Sequence, residues 1–175
     1  VAIWPIGTPL AFGALLLRCR KAILTHQPTA LSRATGVLWK DYRDSMYQWE
    51  VAMLVYRVTL TGFVLLIPEE REVLRLLIAL VTCVLFLSAL QAVRPFHSDA
   101  DNTLAICSHV AQLCVFIGAV FVKMWDDIAA EFGDDAAGEL LGFDSTSWLA
   151  VIMSGVSFGL LLITLSLAVG HGDRK

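Results

Sequence analysis

Charge is what this chain has least of. Lys, Arg, Asp and Glu make up 17% of its 175 residues and 57% are hydrophobic, whereas an ordinary soluble domain carries about a quarter charged and just under half apolar. Water is therefore excluded as the solvent for most of its surface. Cysteine is scarce as well. Cys19, Cys83, Cys107 and Cys114 lie in apolar runs or at a run's end, which excludes a disulfide framework and suits small, polarizable packing side chains. There is no Gly-rich phosphate loop, no paired metal-ligand spacing and no nucleophile with a base at catalytic spacing, so catalysis has no candidate residues. No secretion signal is visible, and the start at Val1 reads as a processed or truncated one.

What the chain does have is five apolar runs of 17 to 22 residues. A helix needs about 20 apolar residues to cross about 30 Å of hydrocarbon. The expected fold is an all-α, polytopic membrane helix bundle in a single transmembrane domain over residues 1–175, with spans at about 1–17, 50–67, 74–93, 104–122 and 148–169. Four of these read as full crossings. The first is shorter and broken by Pro5, Gly7, Pro9 and Gly13, so its ordered helix is expected from about Pro9 onward, the end of a longer membrane region. Ile67-Pro68 and Val93-Arg94-Pro95 mark helix ends that make hairpins of the second with the third span and of the third with the fourth. Asp101 or Asn102-Thr103 is expected to cap the fourth.

Basic residues are sorted between connections. With the N-terminus outside and the C-terminus inside, nine lie inside (Arg18, Arg20, Lys21, Arg33, Lys40, Arg43, Arg94, Arg174 and Lys175) and three outside (Arg71, Arg75 and Lys123). The positive-inside rule favours this orientation. Glu69, Glu70 and Glu72 then make the outer face acidic together with a loop from Lys123 to Ser147 that holds seven acids and one lysine. Trp125, Ile128, Phe132, Ala136 and Leu140 recur through that loop at helical intervals, which predicts an amphipathic surface helix over about 124–141. On the inner side, Trp39, Tyr42, Tyr47 and Trp49 interleave with charges, a pattern suited to the headgroup layer.

Three pairs of residues stand out. Arg57 lies inside the second run with Glu50 two turns earlier on the same face, a buried charge pair or positioning device, or else part of an ion or substrate path. His109 and Gln112 lie one turn apart on the fourth run. They suit interhelical hydrogen bonding, or ligation of a tetrapyrrole magnesium or another metal. Gly155 and Gly159 form a GxxxG face on the last run, which lets another helix approach closely.

One ordered set of short motifs spans much of the chain. Trp4-Pro5-Ile6-Gly7-Thr8-Pro9 is followed by Asp41-Tyr42-Arg43, then by Tyr47-Gln48-Trp49-Glu50-Val51 with Arg57, then by Arg94-Pro95-Phe96 with Asp101-Asn102. Over about residues 2–125 this set resembles the C-terminal membrane region of large algal and oomycete surface proteins similar to transient receptor potential (TRP-like) channels. The resemblance implies a helical membrane bundle, channel-like in its family, although no run here carries a polar face long enough to line a water-filled path. The expected function is that of a non-enzymatic accessory subunit of a larger membrane complex, with a TRP-like ion channel or a fragment of one as the alternative. By the family's organisms, an algal photosystem or a respiratory assembly is a natural host, in a thylakoid, mitochondrial inner or plasma membrane. Membrane lipid and other membrane subunits are the expected partners, not nucleic acid. Bound lipid or chlorophyll/carotenoid is the open cofactor reading.

Overall fold

The computed structural model describes residues 3–25, 27, 29–63, 67–68, 71–143 and 145–172. Glu69, Glu70, Arg174 and Lys175 lie outside these, as do the side chains of Trp4 and Pro5. The chain is all-helical at 85% helix, with no strand among the described residues. Its elements are α1 (Ile3–Leu24), α2 (Ala30–Ala34), α3 (Trp49–Val58), α4 (Glu72–Val93), α5 (Asp99–Phe132), α6 (Asp134–Leu141) and α7 (Thr146–Gly172).

Among the described residues three helices are long and apolar enough to cross a membrane: α4, α5 and α7 over Thr146–Thr164. That is fewer than the four or five spans expected, and the reason differs for the two that fall short. α1 has 22 residues, but it begins at Ile3 rather than Pro9 and runs on through Arg18, Arg20 and Lys21, so polar residues dilute its apolar stretch. α3 is 10 residues long and passes into a π-helical turn over Thr59–Phe63, and residues 64–66 of the expected second span lie outside the described residues. The Thr59 and Thr61 hydroxyls donate to the carbonyls of Val55 and Arg57, each at 2.8 Å, and so compete with the backbone for the acceptors of a regular α-turn.

The acidic loop also folds differently from its pattern. α5 does not stop near residue 122; it continues for 34 residues to Phe132, about 51 Å at helical rise and well beyond a bilayer core. Gly133 at φ 88° then breaks the chain and starts α6. One stripe is thus divided between two helices. Trp125 packs inward, stacked on Phe143 with centroids 5.1 Å apart, while Phe132 and Leu140 are exposed.

α4 and α5 form an antiparallel hairpin, and α7 packs back against α5. At the turn, Arg94 takes the left-handed conformation at φ 46°. Asn102 does not cap α5, which starts three residues earlier behind Ser98. Its buried amide instead accepts from the Phe96 N–H at 3.1 Å and donates to the Phe96 and Ser98 carbonyls at 3.0 and 2.9 Å.

The connection between α1 and α3 is folded onto α1 rather than laid out as a loop. Thr29 and Ser32 cap α2 reciprocally, the Trp39 indole donates to the Ser32 carbonyl at 3.2 Å, and the Thr35 hydroxyl lies 3.7 Å from the Cys19 sulfur. Leu16, Cys19, Ile23 and Tyr47 make the resulting core, with Leu38, Trp39 and Val51 against it. All four cysteines are free thiols.

The connections sort to two ends. Tyr42 and Phe96 form an isolated antiparallel bridge, flanked by the Arg43 N–H on the Pro95 carbonyl at 2.8 Å and the His97 N–H on the Asp41 carbonyl at 3.2 Å. This joins the α1–α3 connection to the α4–α5 turn. At the other end Lys123 of α5 bridges Glu72 of α4 at 2.7 Å and Asp127 at 3.0 Å.

Candidate functional site: a polar cluster between α3, α4 and α5

α3 places Tyr56 against both α4 and α5. Its ring stacks on Phe86 of α4 at 4.1 Å between centroids, and Phe86 stacks in turn on His109 of α5 at 5.1 Å. The Tyr56 hydroxyl donates to Gln112 Oε1 at 2.9 Å and lies 3.5 Å from the Cys83 sulfur. These side chains are polar on apolar helices, so each needs a protein acceptor or donor where lipid supplies none.

His109 is 7% exposed. Its Nδ1 is 2.9 Å from the Ala105 carbonyl, and because a carbonyl only accepts, Nδ1 carries the proton there. In the neutral ring Nε2 is then the basic nitrogen. His109 and Gln112 both lie beside Tyr56, a third member that periodicity did not reveal. A cavity of about 200 Å³ adjoins them, lined also by Met53, Arg57, Leu60 and Thr61. This is below the roughly 300–1,000 Å³ of small-molecule sites, and with Phe86 and Tyr56 against the imidazole the space does not fit a tetrapyrrole. Among the described residues no cluster of three or more His, Cys, Asp and Glu side chains is placed to hold a metal ion.

Glu50 and Arg57 are not joined as a pair. Glu50 accepts the Tyr42 hydroxyl at 2.6 Å, and among the described residues no ion pair links it to Arg57, which is exposed. Burial first, and the Glu50 carboxylate second, push the Tyr42 phenol well above its ordinary value. Tyr42 also rests on Phe96 at 5.0 Å. Asp41-Tyr42-Arg43, Glu50, Arg94-Pro95-Phe96 and Asn102, separate in sequence, therefore meet at one end of the bundle.

A larger groove, about 830 Å³, opens between α1, α3 and α4 beside Trp49, Tyr56 and Phe86. Gly155 and Gly159 lie elsewhere, on α7, where a Cβ added to either would meet nothing within 4 Å. By contrast a Cβ on Gly118 of α5 would come within 2.7 Å of Met153 of α7. The close α5–α7 approach is thus made at Gly118, a residue the sequence reading did not single out.

This all-helical arrangement, with three candidate membrane-spanning helices, defines the class of the protein as far as the fold carries it. The chain matches no protein-family profile, no curated protein and no solved structure.

Proposed function

We propose that the chain is a non-enzymatic, structural subunit of a larger membrane assembly. The observation that carries this reading is the face of α7 at Gly155 and Gly159, where an added Cβ would meet nothing within 4 Å among the described residues. Membrane helices associate through such small-residue faces because backbones can then approach closely, with van der Waals contact and not hydrophobicity as the driving term. In this reading α1 and α3 also enter the bilayer, the N-terminus is outside and the C-terminus inside. The meeting of the Arg43- and Arg94-bearing connections at the Tyr42–Phe96 bridge, opposite the Glu72–Lys123 end, supports that orientation by the count of basic residues.

The test is the size of the native complex. Extracted in mild detergent, the chain should migrate with other subunits, and Gly155→Leu with Gly159→Leu should release it while it remains folded. A lone monomer with no co-migrating protein sinks the proposal. The rival is a TRP-like channel, supported by the polar chamber of Arg57, His109 and Gln112 between α3 and α5. It requires conductance from reconstituted chain that Arg57→Ala alters. An Arg57→Ala variant that loses abundance without any flux having been present removes it.

A further inference from the structure

The small cavity beside Tyr56 is bordered by three side chains whose polar atoms are not all engaged. Arg57 lines it, and its guanidinium has no hydrogen-bond or ion-pair partner among the described residues. Glu50, the acid two turns earlier on α3, is taken by the Tyr42 hydroxyl at 2.6 Å. Gln112 gives its side-chain oxygen to the Tyr56 hydroxyl at 2.9 Å, so its amide nitrogen keeps two N–H donors with no acceptor among the described residues. His109 donates through Nδ1 to the Ala105 carbonyl at 2.9 Å, which leaves the Nε2 lone pair without a donor among these residues. One cation, one pair of donors and one acceptor thus border the same space of about 200 Å³. Among the described residues its lining holds no Asp or Glu.

We infer that this cavity is a binding site for a 2-hydroxy carboxylate, its carboxylate on Arg57 and the Gln112 amide N–H groups and its hydroxyl donating to His109 Nε2. Each unengaged group selects one part of the ligand. A guanidinium on an apolar helix calls for an anion, and its planar fork matches the two oxygens of a carboxylate. A neutral imidazole nitrogen calls for a donor, and an uncharged hydroxyl is one. An ammonium group is selected against because no acid lines the cavity to meet it, and a phosphate dianion brings two charges to a single cation. The volume sets the size: about 200 Å³ is room for about six non-hydrogen atoms at the roughly 30 Å³ that one water occupies, the number in a three-carbon hydroxy acid. Arg57 and Thr61 are exposed, so the cavity is entered beside them. The same head group on a 2-hydroxy fatty acid would fit with its chain left outside. The inference goes beyond the subunit reading and depends on no part of it.

Ligand-observed NMR titration tests it with the whole chain in an uncharged detergent. 2-Hydroxypropionate should bind about tenfold more tightly than propionate, which leaves Nε2 without a donor. 2-Hydroxypropionamide, which lacks the charge, should show no measurable binding. Arg57→Met should weaken binding roughly 10- to 100-fold while thermal unfolding is unchanged, because the guanidinium has no partner in the chain to lose. His109→Phe keeps a ring against Phe86 and Tyr56, and should bring 2-hydroxypropionate down to the affinity of propionate without altering propionate itself. 2-Hydroxydodecanoate separates the two sources of the head group. Much tighter binding than that of the three-carbon acid, lost equally in Arg57→Met, assigns a fatty acid; similar or weaker binding assigns a soluble acid. Equal binding of propionate and 2-hydroxypropionate, a hydroxyl preference that survives His109→Phe, displacement by chloride at equal concentration, or affinity that survives Arg57→Met each overturns the site.

Discussion

Tyr56 on α3 and Gln112 on α5, 56 positions apart, are joined by a hydrogen bond of 2.9 Å. With the Tyr56 hydroxyl's approach to Cys83 of α4 it ties the short third helix to the long α4–α5 hairpin, beside the packing of the Trp49 and Tyr56 rings on Phe86. The same tyrosine therefore packs and hydrogen-bonds at once. Its neighbours His109 and Cys83 are held in register by it.

Tyr56→Phe keeps the ring stack and removes the bond. Interhelical hydrogen bonds in membranes average about 0.6 kcal/mol and reach about 1.7, so the variant should lose stability in that range. Tyr56→Phe combined with Gln112→Leu should cost less than the sum of the two single changes. A double-mutant cycle of unfolding in mixed micelles reads the coupling, and strict additivity refutes the link.

Asn102 holds the α4–α5 turn by three bonds to Phe96 and Ser98. Asn102→Leu leaves the Phe96 N–H and carbonyl without that partner, at roughly 1–3 kcal/mol for a buried group left unsatisfied. Amide hydrogen exchange should rise over residues 94–99, and over Asp41 to Arg43, which pair with that turn. Unchanged protection would show that the bridge stands without Asn102.

Tyr42 gives the fold an alkaline limit. Its phenol is raised above the ordinary value of 10.0, first by burial and then by Glu50, so above pH 10 the unfolded chain gives up this proton while the folded chain keeps it. Stability from this group is thus complete below pH 10 and is lost as pH rises beyond it. Tyr42→Phe should melt lower than the unaltered chain at neutral pH and should show a shallower decline above pH 10. Parallel curves across that window would remove Tyr42 as the cause.

Gly118 and Gly155 should separate fold from assembly. Gly118→Val places side-chain atoms where Met153 already lies, and should cost about 1–3 kcal/mol as overpacking does. Gly155→Val meets only open space in the chain itself. It should leave the monomer's thermal unfolding unchanged and shift the complex on native electrophoresis. If both substitutions act alike on unfolding, α7 has no separate docking face.

Much of this fold is legible in the sequence, element by element. The runs that became α4, α5 and α7 stand out because burial in lipid demands apolarity on every side of a helix, a signal that needs no knowledge of neighbours. The stop at Val93 is legible because Pro95 forbids continuation. The length of α5 is not, since Lys123, Asp126 and Asp127 end the apolar run without ending the helix: Lys123 meets Glu72 and Asp127, and the backbone continues to Gly133. Likewise Glu50 and Arg57 share a helical face, yet Glu50 is taken by Tyr42, eight residues earlier. Spacing along a helix cannot register a rival from a preceding turn.

The site divides the same way. His109 and Gln112 are conspicuous as polar residues among apolar ones, and the structure brings them into one cluster. Tyr56 and Phe86 are not conspicuous, because aromatic rings on apolar helices are ordinary core material. Gly118 carries no motif yet makes the close contact, whereas Gly155 and Gly159 carry the motif and lack the contact.

By itself, then, the amino-acid order determined that the chain is helical and that its long helices are apolar enough to cross a membrane, because both follow from local composition and the cost of an unpaired backbone in hydrocarbon. Which polar groups meet was decided only in three dimensions. Tyr56 finds Gln112, Tyr42 finds Glu50, and Lys123 finds Glu72 because helix crossing and turn geometry set those distances, and no property of the separate residues does.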